Sequence, residues 1–144
     1  CIALNTKKNF LSCLLYKLSN EDLNKLLKII RTINLEEKKD LIAKNLSHGE
    51  KQWLEIGMLL IQEPDLLLID EPVAGMTELE TKKTSDLLKN ISIGRTVLVV
   101  EHDMNFIESL DVEVIVLNEG SVLTRGSMKN IKNNKQVIDV YLGR

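Results

Sequence analysis

The first third of the chain has apolar residues at the spacing of an α-helix. Residues 10–44 read as helical, and the most regular stretch begins after a capping residue, Ser19 or Asn20, that is followed by two acidic residues. Its apolar positions recur every three or four residues: Leu23, Leu26, Leu27, Ile30 and Ile33. A second short helix is predicted over residues 35–44.

The next helix is predicted over residues 48–62, and it begins within the sequence LSHGEKQWLEIGM. Ser47 is a good N-cap and Glu50 follows three residues later, which is the spacing of a capping box. Gly49 lies in the first turn, where glycine costs about 1 kcal/mol relative to alanine, so we expect a partner or ligand to approach the backbone closely there. The second half, from Ile56 to Ile61, is apolar nearly all round and is predicted to be buried on most sides.

After Pro64 the pattern changes to short aliphatic runs. Residues 66–69 and 97–100 show no polar alternation, which predicts strands covered on both faces in a parallel sheet. The amphipathic segment 78–91 lies between them and predicts a right-handed strand–helix–strand crossover. Residues 112–117 and 121–124 flank Asn118–Glu119–Gly120 and predict a β-hairpin, and residues 127–143 return to helix. The predicted fold class is therefore α/β.

Composition places the chain among globular proteins. Apolar residues make up 44% and charged residues 28% of its 144 positions. A net charge of −2 gives no basic surface for nucleic acid, and no apolar run approaches the roughly 18–20 residues that cross a bilayer. Cys1 and Cys13 have no metal-binding spacing and are interpreted as free thiols in a reducing compartment.

Acidic and histidine side chains follow the two predicted parallel strands. Asp70 and Glu71 end the sequence LLLIDE, and His102 follows VLVVE. Ligands of open α/β sheets bind beyond the carboxyl ends of the strands. An acid at that point can hold Mg²⁺, directly or through water, while its neighbour reaches the water that attacks a phosphate. Solvated acids at a strand end and a surface histidine explain the same residues without any chemistry, so the strands alone leave both interpretations open.

Four motifs in a fixed order carry a family resemblance. LSHGE, LLLIDEP, VAGM and VLVVEHD, within residues 46–103, resemble the signature, Walker B, D-loop and switch regions of an ABC-type ATPase nucleotide-binding domain. The tail GSMKNIKNNKQVIDVYLGR is similar to tails of the branched-chain amino acid importer branch. Within that branch, LSHGEKQWLEIGMLL and DEPVAGMTELE look closest to an ATP-binding subunit of urea importers.

The resemblance implies the C-terminal part of an ABC-type P-loop ATPase domain. It divides the chain into a helical subdomain over 1–62, part of the parallel-sheet core over 63–126 and a helical tail over 127–144. The sequence contains no GxxxxGK(S/T) loop, so the phosphate-loop half of such a domain is missing. We therefore expect a fragment that is inactive by itself and hydrolyses ATP as part of a longer, dimeric protein.

The resemblance also implies roles at the strand ends, with ATP and Mg²⁺ as cofactors. Asp70 is expected to bind Mg²⁺ through water, and Glu71 is expected to be the general base that polarises the attacking water. His102 is expected to sense the γ-phosphate.

In this family two domains bind head to tail, so each signature helix faces the ATP held by the opposite subunit. The residues expected to contact that ATP are Ser47, His48, Gly49 and Glu50. The residues expected to cross the dimer interface are Ala74, Gly75 and Met76. Three positions depart from the family pattern: Glu50 stands where glutamine is usual, His48 replaces the first signature glycine, and Thr77 replaces an acidic or amide residue of the D-loop.

The implied function is ATP binding and hydrolysis in an importer of urea or a related small amide or amino acid. The expected partners are a second ABC ATPase subunit and transmembrane permease subunits, with no nucleic acid, at the cytoplasmic face of the inner or plasma membrane. A branched-chain amino acid importer ATPase, or a non-catalytic fragment of another ABC-superfamily ATPase, is the alternative. A DNA-repair or chromosome-organising ATPase is disfavoured, because residues 10–44 lack the sustained heptads of a coiled coil.

Overall fold

The computed structural model describes residues 19–141, which form two compact units, residues 19–100 and residues 101–141. The helical stretch predicted over residues 10–18 and the interpretation of Cys1 and Cys13 lie outside the described residues. The division into segments 1–62, 63–126 and 127–144 rests on motifs and stays a prediction.

The first unit combines helices with a parallel pair of strands, which confirms the predicted α/β class. Strand β1 pairs with strand β2 in parallel, with Leu66 opposite Thr96 and Asp70 opposite Val100. Helix α3 connects the two strands, as the strand–helix–strand pattern predicts. The elements are α1 (Asn20–Thr32), α2 (His48–Leu60), β1 (Leu66–Asp70), α3 (Glu78–Ile91) and β2 (Thr96–Val100).

Each of these three helices begins with the same local arrangement. A serine or threonine at the N-cap accepts a hydrogen bond from the backbone N–H three residues later, and the acidic side chain at that later position accepts one from the N-cap backbone. The pairs are Ser19 with Asp22, Ser47 with Glu50, and Thr77 with Glu80. The capping residues predicted for α1 and α2 are confirmed.

The helix predicted over residues 35–44 is wrong. The segment contains two 3₁₀ turns, Glu36–Lys38 and Ala43–Asn45. Asn34, with φ of +57°, ends the preceding helical path, and the apolar side chains of Leu41 and Ile42 are exposed. A short helix without a buried face is unstable in water, and this segment buries too little to be one.

The prediction that α2 is buried on most sides of its second half is confirmed for four of the six residues, Ile56, Gly57, Leu60 and Ile61. Ile56 and Leu60 are buried, but Met58 and Leu59 are 49% and 41% exposed. The buried side faces α1, where Gly57 allows a close approach: a Cβ at this position would lie 2.7 Å from Cδ1 of Ile33. The helix is therefore amphipathic in its packing, although the sequence of its second half, residues 56–61, is apolar.

The two parallel strands are covered on one face only, contrary to the prediction. Leu67 and Ile69 are buried, whereas every second residue of the pair is exposed. We name the exposed side the open face; its apolar residues are Leu66, Leu68, Leu98 and Val100. A run without alternation predicts apolar side chains on both faces, but within residues 19–141 only one face is packed.

The second unit contains the predicted hairpin and a small core. Strand β3 (Glu113–Asn118) pairs with β4 (Ser121–Ser127) in antiparallel fashion, and Glu119 and Gly120 between them both have positive φ, as a tight hairpin turn requires. Helix α4 (Met104–Leu110) precedes the hairpin. The predicted tail helix is instead two short helices, α5 (Met128–Lys132) and α6 (Lys135–Tyr141), because Asn133 ends the first. The core residues are Val116, Met128, Ile131 and Val137.

Candidate functional site

The start of α2 is organised around the hydroxyl group of Ser47. This oxygen accepts a hydrogen bond from the backbone N–H of Glu50 at 3.2 Å and donates its proton to Oε1 of Glu80 at 3.1 Å. The hydroxyl group of a serine has a single proton to donate. That proton is therefore engaged within the chain.

The carboxylate of Glu50 is bound by its own surroundings. Its Oε2 accepts a hydrogen bond from the backbone N–H of Ser47 at 3.0 Å, and its Oε1 forms an ion pair with the ammonium group of Lys38. The hydrogen bond from Lys38, followed by that from Ser47, lowers the pKa of Glu50. The capping-box prediction for Glu50 is confirmed, and Lys38 is a partner that the sequence pattern did not indicate.

Gly49 is buried because a side chain of the same chain lies against it. A Cβ built at this position would lie 2.8 Å from Oε1 and 2.9 Å from Cδ of Glu80, closer than non-bonded atoms pack. The close approach expected at Gly49 is therefore real, and within the described residues the group that makes it is Glu80. A bound ligand is not needed to explain this glycine.

Glu80 is the residue of this site that sequence reasoning missed. Its Oε2 accepts hydrogen bonds from the backbone N–H of Thr77 at 3.0 Å and from the Thr77 hydroxyl at 2.9 Å, while its Oε1 takes the proton of Ser47. The Thr77 backbone bond, then the Thr77 hydroxyl and the Ser47 hydroxyl, lower the pKa of Glu80. The spacing Thr-x-x-Glu repeats Ser-x-x-Glu and is a visible signal for the cap.

The turn after β1 is tied to α2 by a second contact. Nε2 of His48 lies 3.1 Å from the carbonyl oxygen of Ala74. Gly75 has φ of +69°, a conformation that glycine adopts without strain, and the backbone N–H of Met76 donates to Val73 at 3.1 Å. The structure therefore brings the predicted signature residues and the predicted D-loop residues together within one chain.

The paired acids lie at the carboxyl end of β1, as predicted. Asp70 is the last residue of the strand, and both it and Glu71 are exposed. The backbone N–H of Glu71 donates to the carbonyl of Val100 at 2.9 Å, so the ladder continues one residue beyond the strand. Glu71 itself has φ of +45°, a left-handed conformation that costs a non-glycine residue about 1–2 kcal/mol.

His102 follows β2 and belongs to the second unit. Its side chain is 75% exposed, and its Nδ1 lies 3.8 Å from Oε2 of Glu101, whose side chain is only 2% exposed. That buried oxygen also accepts hydrogen bonds from the backbone N–H groups of His102 at 2.9 Å and Asp103 at 3.3 Å. These hydrogen bonds to Glu101 hold the backbone of His102 and Asp103 in place, a role of Glu101 that the sequence pattern did not indicate. That His102 acts together with Asp70 and Glu71 stays a prediction.

A protein-family model described as "ABC transporter" matches residues 3–74 of the chain, which is half of its length. The chain belongs to the ABC transporter family. The matched residues include the start of α2 and the acids Asp70 and Glu71, so the family match covers two of the four motifs that carry the resemblance.

Known ABC proteins are similar over most of this chain. The high-affinity branched-chain amino acid transport ATP-binding protein LivG of Escherichia coli is 34% identical over 116 residues, which cover 79% of this chain and 46% of LivG. The methionine import ATP-binding protein MetN 1 of Bacillus cereus is 36% identical over 111 residues, covering 76% of this chain and 32% of MetN 1.

Solved structures agree. A nucleotide-free ATP-binding cassette from an ABC transporter has a TM-score of 0.77 at 26% identity, covering 98% of this chain and 59% of that one. The chain spans about half the length of the LivG proteins that it matches.

Two kinds of feature, a cluster of metal-binding side chains and a membrane-spanning helix, are absent from the part of the chain that the structure describes. Within residues 19–141, no group of three or more His, Cys, Asp or Glu side chains is placed to hold a metal ion. Over the same part of the chain, no helix has both the length and the apolar character needed to cross a membrane.

Proposed function

We propose that this chain forms the part of an ABC importer ATPase that carries the signature helix and the Walker B acids. The observation that carries the proposal is the placement of Asp70 and Glu71 at the carboxyl end of a parallel strand, within the residues that the family model matches. Ligands of parallel sheets bind at this edge. The whole protein, meaning this chain joined to a segment with a phosphate loop, would bind and hydrolyse ATP.

Asp70 fits the requirements of a magnesium ligand. Mg²⁺ prefers oxygen ligands, keeps several waters, and is usually bound by one or two carboxylates together with the phosphates of a substrate. An exposed carboxylate at the strand end meets these needs, and a cluster of three protein ligands is not required. When bound, the ion neutralises charge on the phosphates.

Glu71 is the proposed general base and His102 the proposed contact to the γ-phosphate. Glu71 is the next residue after Asp70, and its left-handed backbone turns the chain away from the strand direction. Its carboxylate is exposed and therefore accessible to a water molecule. His102 follows the neighbouring strand and has an exposed imidazole, which can donate a hydrogen bond to a phosphate oxygen.

The start of α2 is the proposed contact to the ATP of a second subunit. Helix N-termini bind anions because their first N–H groups have no partner within the helix. The proposed contact residues are Ser47, His48, Gly49 and Glu50, and the proposed interface residues are Ala74, Gly75 and Met76. A second ATPase subunit and membrane permease subunits are the proposed partners, with the protein bound peripherally at the cytoplasmic face of the membrane.

The proposed solute is a branched-chain amino acid. The similarity to LivG supports this choice. Urea is the second candidate, supported by the likeness of residues 46–60 and 70–80 to urea importers. Uptake of radiolabelled leucine and of radiolabelled urea by cells with and without the gene separates the two.

Substituting Glu71 tests the proposed chemistry. Glu71→Gln in the whole protein removes the base but leaves Asp70, so we expect ATP binding to persist while steady-state hydrolysis falls at least about 100-fold. The measurement is phosphate release with Mg²⁺-ATP, alongside equilibrium binding of a fluorescent ATP analogue. Without a phosphate loop, the isolated chain should release no phosphate.

Glu78→Gln is the matched control, because Glu78 is an exposed acid at the first position of α3. It should hydrolyse ATP at the wild-type rate. Hydrolysis by Glu71→Gln at a near wild-type rate would show that Glu71 is not the base, and metal-dependent hydrolysis by the isolated chain would contradict the need for a phosphate loop.

A further inference from the structure

The Ser47 hydroxyl cannot give a hydrogen bond to a phosphate while it has its present partner. Its one proton goes to Oε1 of Glu80, and its oxygen already accepts the N–H of Glu50. A phosphate arriving at the start of α2 therefore meets a hydroxyl group whose only donor is already used.

Glu80 also brings negative charge to a place that otherwise attracts anions. Its carboxylate oxygen lies 3.1 Å from Oγ of Ser47, and the absence of a side chain at Gly49 leaves the space it occupies. Hydrogen bonds from Thr77 and Ser47 lower the pKa of Glu80, so the group is ionised at neutral pH. Like charges a few ångströms apart repel, which opposes a phosphate at the same hydroxyl.

The same carboxylate holds the start of α3. Both the backbone N–H and the hydroxyl of Thr77 donate to Oε2 of Glu80. One side chain therefore connects the helix that follows the proposed D-loop to the N-cap of the signature helix. Ser47 and Thr77 are thus connected through Glu80, and His48, the residue after Ser47, contacts Ala74.

We propose that Glu80 is a positioning residue that competes with the phosphate of ATP for the Ser47 hydroxyl. When a phosphate takes the proton of Ser47, Glu80 loses that partner and keeps its hydrogen bonds from Thr77. Nucleotide contact at α2 thereby releases the connection between the signature helix and the start of α3. This inference rests on the proposed function, in which the start of α2 binds the ATP of a second subunit.

Two substitutions at Glu80 separate its two contacts. Glu80→Gln keeps an oxygen that accepts from Thr77 but has no charge, and its amide N–H₂ needs no proton from Ser47. Glu80→Asp keeps the charge and the cap, since Ser19 and Asp22 form the same capping box in this chain, but its shorter side chain withdraws from Ser47. Glu78→Gln removes one charge from the same turn of α3 and is the control.

The experiment is an ATP titration of dimer formation by the whole protein, measured by light scattering after size-exclusion chromatography. All proteins carry Glu71→Gln so that ATP is not consumed. We expect Glu80→Gln to lower the ATP concentration at half-maximal dimerisation about five-fold, the difference between a charged and a neutral hydrogen-bond partner. Glu80→Asp should lower it by a smaller factor, and Glu78→Gln should change it by less than about two-fold.

If Glu80 only stabilises the helix starts, both substitutions should raise the ATP concentration at half-maximal dimerisation, because a weakened helix start would bind ATP less tightly. An unchanged or raised half-maximal ATP concentration in both Glu80 variants, with ATP-driven dimerisation intact when residue 80 is glutamate, overturns the inference and leaves the proposed function standing. Absence of ATP-dependent dimerisation when residue 80 is glutamate overturns both.

Discussion

The helix starts at residues 47–50 and 77–80 are built from the same local pattern and differ in what surrounds it. In each, a Ser or Thr hydroxyl accepts a hydrogen bond from the backbone N–H of the glutamate three residues later. The carboxylate of that glutamate accepts a hydrogen bond from the backbone N–H of the capping residue. In the first, the remaining carboxylate oxygen of Glu50 pairs with Lys38. In the second, the remaining oxygen of Glu80 takes the proton of Ser47, which is the cap of the first.

The capping box of α2 therefore closes the start of its own helix, whereas the capping box of α3 also forms a hydrogen bond with Ser47 at the start of α2. Glu50 has a positive partner and contributes no uncompensated charge to the start of α2. The hydrogen bonds to Glu80 within the described residues come from Thr77 and Ser47, which are neutral, and its negative charge lies against the neighbouring helix start. Two boxes with the same spacing are therefore expected to respond differently to substitution.

The two helices also contact each other below the caps, through a buried pair of side chains. The indole N–H of Trp53 on α2 donates to the hydroxyl of Thr84 on α3 at 2.8 Å, and Thr84 is 0% exposed. Thr84→Val keeps the shape but leaves the buried N–H without an acceptor, so we expect the free energy of unfolding of the chain to fall by about 1–3 kcal/mol. Urea unfolding followed by tryptophan fluorescence measures this loss.

Thr81→Val makes the same chemical change one turn earlier on α3, at a half-buried position. It should cost less than about 0.5 kcal/mol, as surface substitutions usually do. Equal losses for the two variants would mean that the Trp53–Thr84 bond does not join the helices energetically.

The next largest loss of stability is expected from removing the caps Ser19 and Ser47, of which Ser47 is also bonded to Glu80 of another helix and is called the shared cap. Ser19→Ala removes a cap whose side-chain hydrogen bonds, within residues 19–141, are made with Asp22 of its own helix, and we expect a loss of about 1 kcal/mol. Ser47→Ala removes a cap and the bond to Glu80, so its loss should be larger by about 0.5–1 kcal/mol. Both are measured by urea unfolding of the isolated chain.

A double-mutant cycle isolates the extra part of the Ser47 effect. Combining Ser47→Ala with Glu80→Gln should give an interaction free energy of about 0.5 kcal/mol or more, whereas combining Ser19→Ala with Glu80→Gln should give additive losses. Additivity in the first pair would remove the basis for a shared cap.

These helix starts also show how far sequence reasoning reaches. Ser19 and Ser47 are predictable as caps because a capping box is local and its spacing is visible in the chain. The bond from Ser47 to Glu80 joins residues 33 positions apart, and no local spacing encodes such a contact. The closeness of Gly49 to another group is predictable, but the identity of that group depends on how α3 packs.

The strands illustrate a second limit. Their aliphatic runs correctly predict a parallel pair, and the acids at the end of β1 lie where strand polarity requires. The runs also predict cover on both faces, yet Leu68 is 65% exposed. An apolar sequence shows that a strand face is suited to packing against other apolar groups. It does not show which element packs there, or whether that element lies within these residues.

The smallest effect is expected at Glu50. Its charge is compensated by Lys38 and by the Ser47 backbone N–H, so Glu50→Gln in the whole protein should shift the half-maximal ATP concentration for dimerisation by less than about two-fold, since glutamine fills the same capping role. The same titration that examines Glu80 measures it. A shift as large as that of Glu80→Gln would remove the contrast between the two boxes.

The isolated chain offers an acid-stability readout for the same residue. The folded-state pKa of Glu50 is lowered, so its carboxylate stabilises the fold above the unfolded value of about 4.3 and loses that effect as pH falls through the lower folded value. Glu50→Gln should therefore lose less unfolding free energy than the wild type between about pH 5 and pH 3. Identical pH profiles would show that the contacts of Glu50 with Lys38 and the Ser47 backbone do not lower its pKa in solution.

The left-handed backbone at Glu71 has a consequence for how this chain would evolve under different selections. A glutamate at φ of +45° is held in a conformation that glycine or asparagine adopts more readily. A library of variants selected only for heat resistance should therefore replace Glu71 with one of these residues. If Glu71 has its proposed role as general base, a library of the whole protein selected for ATP-driven transport should retain glutamate. Position 71 would then separate the two selections, because the acid that the proposed reaction needs is not the residue best suited to the turn.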